Sequence, residues 1–187
     1  MKFKSLIFIA TLISATTLLG SQDLTPYKNV PSKDERIAKK ITDSVAQKLL
    51  TKYNLHLIGT GAQMMNDIEM LAIDFYYYSE VDLQTGRNLL VPAIQNYLDE
   101  INQNIEIRKY LKNYPFTAKN IEIGIHIFKP DGTKVPKDKI YYLSAINGIL
   151  YYYLDDSTHF SRILFHQETY EDALYLINHP KANPLHP

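Results

Sequence analysis

The dipeptide Asn147-Gly148 is the feature of this sequence that most constrains the fold. It separates two runs rich in Ile, Leu and Tyr, residues 140–146 and 149–154, and Asn-Gly is the preferred pair for a two-residue type I′ hairpin. Because such a short loop fixes strand register, it predicts the facing residues. One face pairs Ile146 with Ile149, Ser144 with Tyr151 and Tyr142 with Tyr153; the other pairs Ala145 with Leu150, Leu143 with Tyr152 and Tyr141 with Leu154. The face with the leucines is predicted to lie on the core.

A second strong strand signal is the strict alternation between residues 119 and 128. Isoleucines at 121, 123, 125 and 127 alternate with Glu122, Gly124, His126 and Phe128, which predicts a strand with its isoleucines in the core. Residues 55–61, 68–78 and 162–167 are predicted to form further strands. In the segment 68–78, Asp74, Tyr76 and Tyr78 share the face opposite Ile73 and Phe75.

Helices are predicted between these strands. Ser32 and Glu35 have the spacing of a capping box before a helix that runs to about Lys52. Asp82 is a candidate cap for a second helix, in which Gly86 and Pro92 predict a kink or a late start. Residues 104–111 predict a further helical segment, and residues 169–177 a short terminal helix. The predicted fold is therefore α+β, with an antiparallel-rich sheet of about four to five strands and helices mainly on one face.

The first 21 residues have the order of a secretory signal peptide. Lys2 and Lys4 precede an uncharged apolar run, and the small residues Gly20 and Ser21 follow it. We therefore divide the chain into a signal peptide (1–21), a linker (22–31), a single α+β domain (32–177) and a Pro-rich tail (178–187). The expected location is periplasmic or secreted, with an uncleaved membrane anchor as the alternative.

The absence of cysteine limits what the exported protein can be. Ser21 follows Leu18-Leu19-Gly20, where a bacterial lipoprotein has its modified cysteine, and the chain has no Cys; lipidation is therefore not expected. Disulfides, cysteine catalysis and thiolate metal sites are excluded for the same reason.

Charge excludes another class of function. Residues 1–21 contain two of the 20 basic residues and none of the 20 acidic ones, so the remainder has a net charge of about −2. A nucleic-acid-binding domain would show a basic patch or a high isoelectric point, so nucleic acid is not an expected partner. No membrane span is expected in the mature protein.

The main candidate for function is a surface rich in tyrosine. The chain has 15 Tyr, seven Phe and no Trp, and tyrosine suits half-exposed contact surfaces. The predicted register places several tyrosines, with Asp74 and Glu122, on the non-core face of the sheet. The predicted binding residues are Tyr76, Tyr78, Tyr142, Tyr151, Tyr153 and His126. They favour an interaction domain for a peptide, a glycan or another protein. The alternatives are that these rings only pack the sheet of a structural envelope protein, or that the linker or tail covers them.

Enzyme function is a second hypothesis from a different class. Asp74, His126 and His166 would permit a small hydrolase or a metal site if the two histidines lie on neighbouring strands. We assign no catalytic residue, metal ligand or cofactor. Gly59 and Gly61 resemble a dinucleotide loop, but Met64 occupies the third glycine position and no crossover helix with a parallel strand is expected to follow. Glu168 is interpreted as part of a solvated turn.

Two stretches carry a resemblance to a known family: LIGTGAQMMNDIEMLAIDFYYYSEVDLQTGRNLLV and YLKNYPFTAKNIEIGI. Over about residues 50–127 the chain resembles an uncharacterised family of small exported proteins from intracellular bacteria. The resemblance implies export by a host-associated bacterium. It implies no activity and no residue roles.

Overall fold

The Asn147-Gly148 hairpin forms as predicted. In the computed structural model, which describes residues 30–156 and 161–180, Asn147 and Gly148 have φ angles of 51° and 77°, as a type I′ turn requires. The predicted facing pairs are confirmed from Ile146–Ile149 to Tyr142–Tyr153. The pairing of Tyr141 with Leu154 is wrong: a bulge shifts the register, so that Leu154 faces Ile140. The predicted signal peptide, residues 22–29 of the linker and residues 181–187 of the tail lie outside the described residues.

The described residues form three α-helices and one six-stranded mixed sheet, which confirms the α+β class. The sheet has slightly more strands than the four to five predicted. The elements in chain order are α1 (Lys33–Tyr53), β1 (His56–Met64), β2 (Ile68–Tyr77), α2 (Leu83–Gln103), two 3-10 turns (Arg108–Tyr110 and Ala118–Asn120), β3 (Ile121–Ile127), β4 (Ile140–Ile146), β5 (Ile149–Asp156), β6 (Ser161–Thr169) and α3 (Tyr170–Asn178).

The strands lie in the sheet in their chain order. Every neighbouring pair is antiparallel except β2 and β3, which are parallel and are connected through α2. No crossover helix and parallel strand follow the glycine-containing strand, as expected, because β1 leads directly into β2 and pairs with it antiparallel. Gly59 and Gly61 do not form a phosphate loop, since they lie inside β1 and pair with Asp74 and Ala72 of β2.

Helix α1 begins with the predicted capping box. The Ser32 hydroxyl accepts a hydrogen bond from the Glu35 backbone N–H, and the Glu35 carboxylate accepts one from the Ser32 N–H. Its apolar stripe packs against α2, and at its centre the Thr42 hydroxyl lies 2.7 Å from the Tyr97 hydroxyl. Burial raises the pKa of Tyr97 to about 12, so this hydroxyl keeps its proton and completes the contact.

Helix α2 begins at Leu83, directly after its Asp82 cap, and Gly86 does not delay it. A Cβ atom at Gly86 would lie 2.9 Å from Tyr152 and 3.2 Å from Leu143. The glycine therefore allows the helix to approach the sheet closely. The helix predicted over 104–111 is replaced by a 3-10 turn, because the Asn104 side chain accepts hydrogen bonds from the N–H groups of Glu106 and Ile107 and closes α2.

The helices pack on one face of the sheet, which we call the inner face. Ile123, Ile125, Leu143, Leu150 and Tyr152 are buried there with the apolar residues of α1 and α2, as the alternation predicted. The opposite face is called the outer face. Within residues 30–156 and 161–180, no helix combines the length and the apolar character needed to cross a membrane.

Candidate functional site

A row of aromatic rings crosses the outer face. The register places Tyr76 of β2, His126 of β3, Tyr142 of β4 and Tyr153 of β5 side by side. The ring centroids are 6.0 Å apart for Tyr76 and His126, 4.7 Å for His126 and Tyr142, and 5.9 Å for Tyr142 and Tyr153. The six predicted binding residues therefore meet in one place, since Tyr78 contacts Tyr76 at 6.2 Å and Tyr151 contacts Tyr153 at 6.1 Å. We call these six residues, with His56 and Phe128 at the β1–β2 end, the aromatic row.

The rings of the aromatic row support one another but stay partly exposed. Each of the six predicted binding residues is half-buried. Arg162 of β6 already uses this surface, because its guanidinium carbon lies 4.1 Å from the Tyr142 ring centre and 5.8 Å from that of Tyr153. The outer face therefore holds a cation by ring contacts.

Beside the aromatic row, the next row of residues across the sheet is small or polar. Asp74 faces Gly124, Gly124 faces Ser144, and Ser144 faces Tyr151. The missing side chain at Gly124 is filled by its neighbours: a Cβ atom there would lie 1.9 Å from Asp74 Oδ1 and 2.9 Å from the Tyr142 hydroxyl. A cavity of about 160 Å³ remains, which we call the outer cleft. Its lining includes Asp74, Glu122, Gly124, Tyr142 and Ser144.

The polar groups of the outer cleft have few partners. Neither Asp74 nor Glu122 forms a salt bridge with another described residue. Ser144 is 2% exposed, and its hydroxyl has no hydrogen-bond partner in the described part of the chain. A buried hydroxyl without a partner is destabilising by about 1–3 kcal/mol, so the cleft has unused capacity for a polar ligand.

Burial also shifts the pKa values of Tyr142, which lines the cleft, and of its neighbour His126 in the aromatic row. It lowers the pKa of His126 from 6.5; the Asp74 carboxylate opposes this shift and Arg162 adds to it. The imidazole is therefore neutral at neutral pH. Burial, followed by the negative charge of Asp74, raises the pKa of Tyr142. The Tyr142 hydroxyl is thus protonated and can donate or accept a hydrogen bond.

The structure does not bring together Asp74, His126 and His166, the three residues on which the enzyme hypothesis depends. His126 lies on β3 and His166 on β6, so two strands separate them. His166 also faces the opposite side of the sheet, where its ring lies 5.5 Å from that of the buried Tyr152. The condition on which the enzyme hypothesis depended, that the two histidines occupy neighbouring strands, is therefore not met. No cluster of three or more metal-ligating side chains occurs among the residues described.

A buried polar network on the inner face was missed by the sequence reasoning. Arg87 of α2 donates from Nε to both carboxylate oxygens of Glu168, at 2.8 and 2.9 Å, and the Tyr152 hydroxyl donates to Glu168 Oε1 at 2.7 Å. Arg87 and Glu168 are 3% and 7% exposed. The assignment of Glu168 to a solvated turn is therefore wrong. No sequence signal pairs residues 81 positions apart.

A second, larger cavity is less suited to chemistry than the outer cleft. It has a volume of about 370 Å³ and lies between α1 and β1. The charged groups at its edge have partners already, because Glu35 closes the capping box and Lys39 pairs with Asp43 at 2.8 Å. The outer cleft and the aromatic row are thus the better candidate site.

Fold and site together define the class: an α+β domain whose mixed sheet carries helices on one face and an aromatic row beside an acidic cleft on the other. Comparison with protein-family models, with curated proteins and with solved structures found no match to this chain.

Proposed function

We propose that the chain is an exported bacterial interaction domain that binds a polypeptide partner on its outer face. The observation that carries the proposal is the aromatic row, in which half-buried rings from neighbouring strands adjoin at centroid distances of 4.7–6.0 Å. Rigid amphipathic rings offer a large contact area at a low cost in conformational entropy. The proposal includes export, which is supported by the predicted signal peptide (residues 1–21). It also includes the relation to small exported proteins of intracellular bacteria, which is supported by the resemblance over about residues 50–127.

A polypeptide is a better fit than a small substrate. The row crosses four neighbouring strands, so its contact area is extended, whereas sites for small molecules are usually concave and enclosed. A hydrolase or metal enzyme built on Asp74, His126 and His166 is less well supported, because His166 lies on the inner face, away from the other two residues.

The test is a triple substitution of the row, Tyr76→Ser, Tyr151→Ser and Tyr153→Ser. Its matched control is Tyr114→Ser with Tyr175→Ser, because those tyrosines are exposed and lie outside the row. Binding is measured by fluorescence anisotropy with the labelled heptapeptide Ser-Thr-Val-Lys-Val-Thr-Ser and with its norleucine and Glu analogues. We expect the triple variant to lose at least about 90% of peptide binding and the control to lose none.

Unfolding in urea separates binding from packing. Cross-strand aromatic pairs stabilise a sheet by about 0.2–1 kcal/mol each, so the triple variant should lose no more than about 3 kcal/mol. A much larger loss of stability, or wild-type protein that binds none of the three peptides, would favour a structural role in which the tyrosines only pack.

A further inference from the structure

The outer cleft contains two negatively charged carboxylates and a buried hydroxyl that has no hydrogen-bond partner among the described residues. Asp74 and Glu122 contribute carboxylates that no described residue neutralises by a salt bridge. Independently of those charges, the Ser144 hydroxyl lines the same cavity, is almost fully buried and has no partner within residues 30–156 and 161–180. Buried polar groups in native proteins are nearly always hydrogen-bonded, so an orphan hydroxyl in a cleft points to a ligand that supplies the missing bond.

We propose that the outer cleft binds the ammonium group of a lysine side chain from the polypeptide partner. The inference rests on the proposed function, because the rest of the partner would lie on the aromatic row. It goes further in naming the residue that is recognised and the groups that recognise it.

The geometry favours an ammonium group over other cations. An ammonium has three hydrogen-bond donors around a compact charge. The cleft offers acceptors on Asp74 and Ser144 in a cavity of about 160 Å³, beside the Tyr142 hydroxyl, which already has a hydrogen bond with Arg162. A guanidinium prefers to stack on a ring, and Arg162 already occupies that position on Tyr142. A bare metal ion would lack ligands, since the described residues hold no group of three metal-ligating side chains.

The surroundings of the cleft also suit a lysine stem. Tyr142 belongs both to the cleft and to the aromatic row, and its ring stands next to those of His126 and Tyr153. The aliphatic part of lysine packs well along such apolar surface while its charged end reaches a polar group. His126 is neutral at neutral pH and does not repel the incoming charge.

The experiment compares the Lys heptapeptide with its norleucine analogue, which keeps the stem and lacks the charge. We expect the Lys peptide to bind at least about tenfold more tightly than the norleucine peptide. This difference in affinity should become smaller as the salt concentration rises. Asp74→Asn should remove most of the advantage, and Glu122→Gln part of it. The control Glu106→Gln, an exposed carboxylate after α2, should leave it unchanged.

Ser144→Ala provides a second readout. If the Ser144 hydroxyl forms a hydrogen bond with the ligand, the variant should bind the Lys peptide severalfold more weakly. The free variant should unfold at a slightly higher urea concentration than the wild type, because an unpaired buried hydroxyl has been removed. If Ser144 does not contact the ligand, Ser144→Ala should change the free energy of unfolding but not the affinity for the Lys peptide. That result would count against the inference.

The arms distinguish the possible failures. Equal binding of the Lys and norleucine peptides, lost in the triple tyrosine variant, would overturn the lysine inference and leave the proposed function standing. Binding of free putrescine as tightly as the Lys peptide would overturn the assignment to a polypeptide side chain. No binding of any peptide would overturn both proposals.

Discussion

Replacing Arg87 with Met is expected to destabilise the protein by about 3–5 kcal/mol, because the Glu168 carboxylate is left buried without its cation. The size follows from the geometry: Arg87 Nε lies 2.8 and 2.9 Å from the two carboxylate oxygens, and both side chains are less than a tenth exposed. Total stability of a domain is about 5–15 kcal/mol. Arg87→Met alone should therefore unfold at a much lower urea concentration than the wild type, or fail to accumulate in the cell as folded protein.

Tyr152 adds a second, smaller contribution. Its hydroxyl donates to Glu168 at 2.7 Å, and burial, followed by the hydrogen bond and the charge of Glu168, raises the pKa of the phenol. Hydrogen bonds to charged groups contribute about 1.5–3 kcal/mol, so Tyr152→Phe should cost about that much. In a protein that carries Glu168→Leu, the additional change Tyr152→Phe should have little effect on the free energy of unfolding.

The decisive variant removes the whole network. Arg87→Met, Glu168→Leu and Tyr152→Phe together should cost far less than the sum of the single changes, since a well-packed apolar replacement leaves no orphan charge. Stability is measured by urea unfolding followed by circular dichroism, with Lys39→Met and Asp43→Leu as the exposed ion-pair control, expected to change stability by less than about 1 kcal/mol. Additive effects of the three changes would refute the reasoning.

Three further substitutions test other parts of the structure. Gly124→Ala should displace the Asp74 carboxylate, because its Oδ1 atom lies 1.9 Å from the position of the added Cβ. The affinity for the Lys peptide, measured by fluorescence anisotropy, should fall about as much as in Asp74→Asn. Gly148→Ala should cost about 1–2 kcal/mol in urea unfolding, because its φ of 77° suits glycine; an unchanged midpoint would contradict the turn. His126→Phe should flatten the pH dependence of stability: the folded-state pKa of His126 lies below 6.5, so the unfolded chain binds more protons and the wild type loses stability as pH falls below about 6.5. Equal slopes in both proteins would rule this out.

Local turn chemistry made the centre of the sheet predictable. Asn147-Gly148 fixes the register of β4 and β5, and the isoleucine alternation assigns the faces of β3. The sequence alone therefore predicts that Tyr142, Tyr153 and His126 share one surface, as they do. Each of these inferences depends on residues close in sequence, where backbone geometry leaves few alternatives.

A bulge explains why His166 could not be placed from the sequence. Tyr153 faces Leu164, but Tyr152 faces His166, so β6 contains one extra residue, Phe165, between them. That extra residue shifts the alternation and turns His166 to the inner face. With an unbroken register His166 would face Tyr151 on the outer face. The sequence around Phe165 carries no glycine or proline that would indicate such an irregularity.

The alternation of β5 makes stability and binding separately testable. Tyr151 and Tyr153 point to the outer face, while Tyr152 between them points into the inner network with Glu168. Changes at Tyr152 should therefore lower the free energy of unfolding and leave the peptide affinity of the folded fraction unchanged. Changes at Tyr153 should weaken peptide binding and lower the free energy of unfolding only by the small contribution of cross-strand aromatic pairs, about 0.2–1 kcal/mol each. Because the two sets of residues share one strand, a general loss of sheet structure would affect both measurements together. Opposite responses at adjacent positions are thus evidence that the outer face acts as a binding surface and that the inner network holds the fold.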